Sequence, residues 1–274
     1  MTDAQYRIWN LSIGWMVFAI ALFTYGSTVE PTASYWDCSE YIATSAKLQI
    51  GHPPGAPFFQ MMGAFFALFA SAPEKIALMV NYMSVFSSAF TILFLFWTLT
   101  LLFKKLPFFS SPQTVSERIG YFGSAVVGAL AFCFSDSFWF NAVEAEVYAM
   151  AMFLLALLFW MGLRWEQEMN TPRGDRWLLL MSFIIGLCFG VHFMALLAIP
   201  ALGMIYYFKN FPKVTLKGFI YANLFSVAIL LFIFKLLLPL TLAFFGKAEV
   251  FFVNAMGLPF DSGTLIAAIV IIAL

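Results

Sequence analysis

Long apolar runs separated by short polar breaks dominate the chain from its first turn to its last residue. Ile8 to Tyr25 reads as a first membrane span. A polar stretch from Gly26 to Ala56 follows, and then a short apolar piece, Pro57–Ala70. Further runs predict spans over about Ile76–Phe103, Ile119–Phe134 and Val147–Leu163. Trp177 to Phe208 is nearly unbroken but contains Gly190, His192 and Pro200, so it is expected to form two short spans meeting near Gly190–His192. Gly218–Phe245 supplies a seventh span, and Thr264–Leu274 begins an eighth. One hydrocarbon crossing takes about 20 residues of helix. The expected architecture is therefore an all-α polytopic transmembrane bundle of about eight spans.

The last run holds 11 residues, a rise of about 16 Å, roughly half a bilayer. Residues 1–274 are accordingly expected to be an N-terminal transmembrane module, with further spans and a soluble C-terminal domain lying outside this sequence.

Composition agrees with the pattern. Of 274 residues, 63% are hydrophobic and only 10% charged, against about 25% charged in ordinary soluble domains. A folded sphere of this size could not cover itself with polar groups, which excludes a water-soluble enzyme. Fourteen basic and fourteen acidic residues cancel, so net charge indicates no partner, and no basic aromatic patch suggests nucleic acid. Cys38, Cys133 and Cys188 have no metal-like spacing and read as free thiols.

Charge placement sets an expected orientation. With a cytoplasmic N-terminus, the cytoplasmic loops hold Arg7, Lys104, Lys105, Arg118, Arg164, Arg173, Arg176, Lys209, Lys213 and Lys217. The opposite face keeps only Lys47, Lys75 and Lys247, with Lys235 inside a span. Such a bias follows the positive-inside rule. It also places Pro57–Ala70, too short for a comfortable crossing, as a helix in the outer interface. The first outer loop then runs from Gly26 to Lys75, and loops of that length tend to be functional.

Under this topology most acids and both histidines gather on the outer face. Asp37 and Glu40, in Tyr35-Trp-Asp-Cys-Ser-Glu-Tyr41, are three apart and share a face if helical. Two neighbouring carboxylates can differentiate into a base and an orienting group. A solvated interfacial helix with an aromatic belt is the better account on composition alone. Gly51-His-Pro-Pro-Gly-Ala-Pro57 is a rigid break that would end that helix and aim His52 back towards it. A simple connector between two helices is the plainer alternative. In Asn141-Ala-Val-Glu-Ala-Glu-Val-Tyr148, Glu144 and Tyr148 are four apart and can share a helix face, with Glu146 pointing elsewhere. His192 fits a helix-turn histidine bonded to a backbone carbonyl at least as well as it fits a functional one. Lys235, mid-span, should face a cavity or an acid. Asp261 reads as a turn residue and Asp136 as a helix-end group. Phosphate-binding Gly-rich loops, HExxH and Gly-x-Ser-x-Gly are all missing from the sequence.

Trp36-Asp-Cys-Ser-Glu40 followed by His52-Pro-Pro-Gly-Ala-Pro57 resembles the multipass GT-C type glycosyltransferases, in their protein O-mannosyltransferase-like branch. The weaker blocks Asn141–Tyr148 and Gly186–Pro200 fit the same branch. Ser39 stands where the family commonly has glycine. The resemblance implies a GT-C-like fold and a polyprenyl-phosphate-linked sugar donor. It also implies an acceptor hydroxyl on an exported protein, reached from the extracytoplasmic side of what would be a bacterial inner membrane. Asp37 would be the base and Glu40 its partner. His52, Glu144, Glu146, Tyr148 and His192 are candidates for substrate binding, and His52, His192 or Lys47 could meet the donor phosphate. A divalent cation, Mg or Mn, near Asp37 and Glu146 is compatible by ligand type, although no spacing demands it. The competing classes are a transporter, which would carry charges midway along several spans, and a non-catalytic assembly subunit, which would not need the Asp37–Glu40–His52 grouping.

Overall fold

The computed structural model describes residues 2–109 and 114–273, and every regular element among them is helical. Helix α1 (Asp3–Ser27) starts from a capping box in which the Thr2 side chain accepts from the Gln5 N–H and the Gln5 side chain answers on the Thr2 N–H. Two short helices follow, α2 (Cys38–Lys47) and α3 (Pro57–Ala67), and then the long α4 (Ile76–Phe103). α3 is 11 residues long, too short to cross, as its sequence suggests.

Helix α5 (Val115–Cys133) begins four residues earlier than its apolar run, because Thr114 and Glu117 form a second capping box that draws the polar turn into the helix. It bends by 68° into α6 (Asp136–Ala142). Next come α7 (Val147–Glu168), α8 (Gly174–Cys188), a single tight turn at Phe193–Leu197, and α9 (Ala198–Asn210). The break between α8 and α9 thus falls where Gly190 and His192 foretold it. Among the described residues, five helices have the length and apolarity to cross a membrane, or six if the bent pair counts as one span. At 15 and 12 residues, α8 and α12 fall below that length.

The chain divides into two compact units, Met1–Ile205 and Tyr206–Leu274. In the first, α4 is the central helix. Val80 and Met83 join one buried cluster with α2, α3, α7 and α8, whereas Val85, Ala89, Ile92 and Phe96 join another with α1, α5 and α6. α4 buries polar and small residues along its length, among them Ser84, Ser87, Ser88, Thr91 and Thr100. Small residues let membrane helices approach closely where lipid offers no hydrophobic drive for association. Ser87 and Thr91 return their hydroxyl protons to the carbonyls of Met83 and Ser87, so their burial leaves no donor stranded.

In the second unit, α10 (Leu216–Phe232) and α11 (Leu238–Val250), joined by a wide turn at Ile233–Leu237 and extended by another at Phe251–Ala255, form one helical stretch from Leu216 to Ala255. The seventh apolar run was expected to stop at Phe245, but Gly246, Lys247 and Glu249 do not break the helix. It ends near Gly257 (φ 67°), ahead of Pro259. The wide turn precedes Pro239, whose missing N–H such a turn accommodates. Lys235 lies in that turn, exposed, and no acid pairs with it among the described residues. Asp261 does occupy a turn, at φ 70°. Helix α12 (Ser262–Ala273) is tied to α11 by Glu249, whose carboxylate accepts from the Asp261 and Thr264 N–H groups at 2.6 and 2.8 Å.

Candidate functional site

The C-terminal end of α1, α2, α3 and the N-terminal ends of α4 and α7 meet at one end of the first unit. The opposite end collects basic residues, with Lys105 paired to Glu166 and the Lys104 ammonium 3.4 Å above the Tyr6 ring.

Asp37 occupies the N-cap position of α2 but makes no side-chain capping bond, so its carboxylate remains uncommitted. Glu40 lies in the first turn, where the helix dipole favours an acid. Leu48, in the left-handed region at φ 49°, closes α2, and Gly55 at φ 78° turns the proline-rich segment back towards it. Those turns return His52 to Glu40. The His52 N–H donates to Glu40 Oε1 at 2.6 Å, and Nδ1 lies 3.0 Å from Oε2. On the other side of the imidazole, Nε2 is 3.9 Å from Asp37 Oδ2, beyond hydrogen-bond range.

Asp37 and Glu40 therefore flank one imidazole. The side chains of Asp37 and His52 are 56% and 41% exposed, so the group is open to an incoming ligand. Bonds from His52 hold the Glu40 carboxyl below its ordinary range, and the same pairing raises the imidazole. Tyr41 backs the ring at 5.8 Å between centroids, and burial pushes its hydroxyl up to about 12.

Glu144 does not share a face with Tyr148. Helix α7 begins only at Val147, because Glu144 to Glu146 form a turn closed by the Glu146 N–H on the Glu144 carbonyl at 2.8 Å. Glu144 accepts instead from the Ser34 hydroxyl, and burial raises its carboxyl. Glu146, the N-cap of α7, is 7% exposed. Burial, followed by the charges of Asp37 and Glu144, pushes it up to about 7. Tyr148 lies against His192, ring centroids 5.3 Å apart. The His192 Nδ1 accepts from the Met194 N–H at 3.1 Å and caps the turn after α8. It is a helix-turn histidine, but its backbone partner is an N–H that it accepts from, not the expected carbonyl, and burial lowers its basicity.

The structure thus gathers Asp37, Glu40, His52 and Tyr41, sets Glu146 within reach of their charges, and forms a second contact of Tyr148 with His192. Glu144 is spent on Ser34. Lys47 ends α2 while Asp37 begins it, a rise of about 15 Å between those two positions. Ligand atoms of Asp37, Glu40 and His52 all lie within 4.8 Å of one another, a set able to hold a divalent cation. Sequence reasoning missed Asn81 and Ser34, which fix the two acid-bearing segments. An asparagine inside the α4 apolar run was the available signal. All three cysteines are free and buried.

Residues 37–215 match the family described as Protein O-mannosyl-transferase TMEM260 N-terminal domain. A relative from Dictyostelium discoideum, Protein O-mannosyl-transferase tmem260, is 22% identical over 163 residues. That stretch covers 59% of the present chain and 18% of the relative's length. No solved structure matches.

Proposed function

Because the chain belongs to the protein O-mannosyl-transferase TMEM260 N-terminal domain family, we propose that it is the membrane module of a glycosyltransferase of GT-C type. The enzyme moves a mannose-like sugar from a polyprenyl phosphate to a hydroxyl of an exported protein, on the outer face of the bacterial inner membrane. The observation that carries this reading is the meeting of Asp37 and Glu40 around the His52 imidazole, at the end of the bundle away from the basic cluster.

In this reaction the acceptor oxygen attacks the anomeric carbon as the bond from that carbon to the phosphate oxygen breaks. The acceptor proton passes to Asp37, and the lipid phosphate leaves with the bonding electron pair. Asp37 suits the base because it has no capping bond to give up and is exposed to an acceptor. Glu40 engages Nδ1 of His52 and favours the imidazolium. That leaves the Nε2–H, on the Asp37 side, to meet charge developing on the phosphate. The lipid carrier would lie in the bilayer beside this end of the helices.

The test is transfer by the full-length protein from membrane-derived polyprenyl-phosphate sugars to a secreted acceptor, compared with Asp37→Asn. Losing the base should lower turnover by about 10²–10⁴-fold. Normal transfer by Asp37→Asn would refute the assignment. A wild type that neither binds nor transfers any such donor would favour a non-catalytic assembly role.

A further inference from the structure

Asn81 lies in the second turn of α4 and is 0% exposed, in a helix whose other residues are apolar, aromatic or hydroxyl-bearing. Its carboxamide is used on both sides. Nδ2 donates to the carbonyls of Glu30 at 2.7 Å and Thr32 at 2.9 Å. Oδ1 accepts from the Ala145 N–H at 2.9 Å and from the Cys38 thiol at 3.9 Å. None of these partners belongs to α4, and they come from three separate segments. Cys38 adjoins Asp37, Ala145 stands between Glu144 and Glu146, and residues 30–32 lead into the loop that delivers Ser34 to Glu144.

We propose that Asn81 is the positioning residue of the site, the one side chain of the central helix to which the Asp37 segment and the Glu144–Glu146 segment are both referenced. The chemistry of the group supports this role. A carboxamide offers two donors and a two-lone-pair acceptor from one planar unit. A serine has one donor. An aspartate would turn an oxygen towards the two carbonyls that now accept, at the cost of a buried unpaired charge. The carbonyls of Glu30 and Thr32 and the N–H of Ala145 have no helix or sheet to satisfy them there. Without Asn81 they would have to seek water, and the two segments would separate from α4.

The structural part of the inference stands apart from the reaction; only its kinetic part rests on the transferase reading. The test uses the full-length protein in detergent, comparing wild type with Asn81→Ala and with the milder Asn81→Ser. Maleimide labelling is followed at each cysteine by peptide mass spectrometry. Cys38 should label about tenfold faster or more in Asn81→Ala, as expected for local opening, while buried Cys133 and Cys188 keep their wild-type rates. Asn81→Ser should fall between the two. In the transfer assay, kcat should drop by about a hundredfold, with the donor KM changed by less than about twofold.

An unchanged Cys38 rate would overturn the proposal. So would equal acceleration at all three cysteines in both variants, because that reports general loosening of the fold. Selective release of Cys38 in a protein whose wild type transfers no sugar would uphold the positioning role and count against the transferase reading instead.

Discussion

Replacing Gly190 by alanine should destabilise the first unit far more than the same change four residues earlier. The Gly190 carbonyl accepts from the Phe58 and Phe59 N–H groups at 2.8 and 3.1 Å. It thereby satisfies two first-turn donors of α3 that the helix itself cannot. A Cβ at position 190 would lie 2.7 Å from Phe58 Cβ and 3.1 Å from the Phe58 nitrogen. Both obstacles are at the backbone, so no flexible side-chain tip can give way. Overpacking of this kind costs about 1–3 kcal/mol, and each strained hydrogen bond adds about 0.5–1.5 kcal/mol. With two such bonds about 2–6 kcal/mol is expected, and at about 2–4 °C per kcal/mol the Tm should fall by at least about 4 °C.

Gly186 provides the control. It lies inside α8, and a Cβ there meets nothing within 4 Å. Gly186→Ala should be neutral or stabilise by up to about 1 kcal/mol through helix propensity. The assay is thermal unfolding of the purified full-length protein in detergent, followed by tryptophan fluorescence. Equal midpoints for the two variants would show that the close approach of α3 to Gly190 is not a constraint.

The remaining predictions concern titration in protein stripped of divalent cations. The Glu40–His52 pair should be strongest between the ordinary carboxyl value of 4.5 and the ordinary imidazole value of 6.5. It weakens as pH falls through the lowered Glu40 value or rises through the raised His52 value. In Glu40→Gln the His52 midpoint, read by NMR of labelled histidine, should drop, and an unchanged midpoint would contradict the pairing. Glu146 behaves in the opposite sense. Its carboxyl is pushed up to about 7, so the folded state holds a proton that the unfolded chain releases from about 4.5 upward. This group therefore costs stability progressively as pH rises from about 4.5 to 7. Glu146→Gln should flatten that part of the stability–pH curve in chemical or thermal unfolding, and an unaltered slope would count against the burial argument.

Much of this molecule is written locally. Apolar runs within or above the range of about 17–25 residues that a crossing takes are read as helices that satisfy their own backbone, so α1, α4 and α7 are legible from composition along the chain. The Gly190–His192 break and the Pro-rich turn at 53–57 are equally local, because glycine and proline act through their own backbone dihedrals. For the same reason the return of His52 to the Asp37–Glu40 helix was foreseeable: the three lie within 16 residues and one rigid turn joins them. Helix starts were less legible. The capping box at Thr114–Glu117 extends α5 into polar sequence, whereas α7 begins at Val147 as its apolar run does, after a turn at Glu144–Glu146 that keeps Glu144 from sharing a face with Tyr148.

Tertiary structure alone decided which partner each polar group found. Ser34 reaches Glu144 across 110 residues, Asn81 reaches Ala145 across 64, and Trp139 reaches Thr28 across 111. A hydrogen bond is directional and short, so spacing along the chain cannot say which distant donor will arrive. The neighbours of α4 are set by close packing of small residues on several helices at once. Burial of Glu146 belongs to the same class: its raised carboxyl comes from the loss of water around it, which happens only when α2, α4 and α7 have come together.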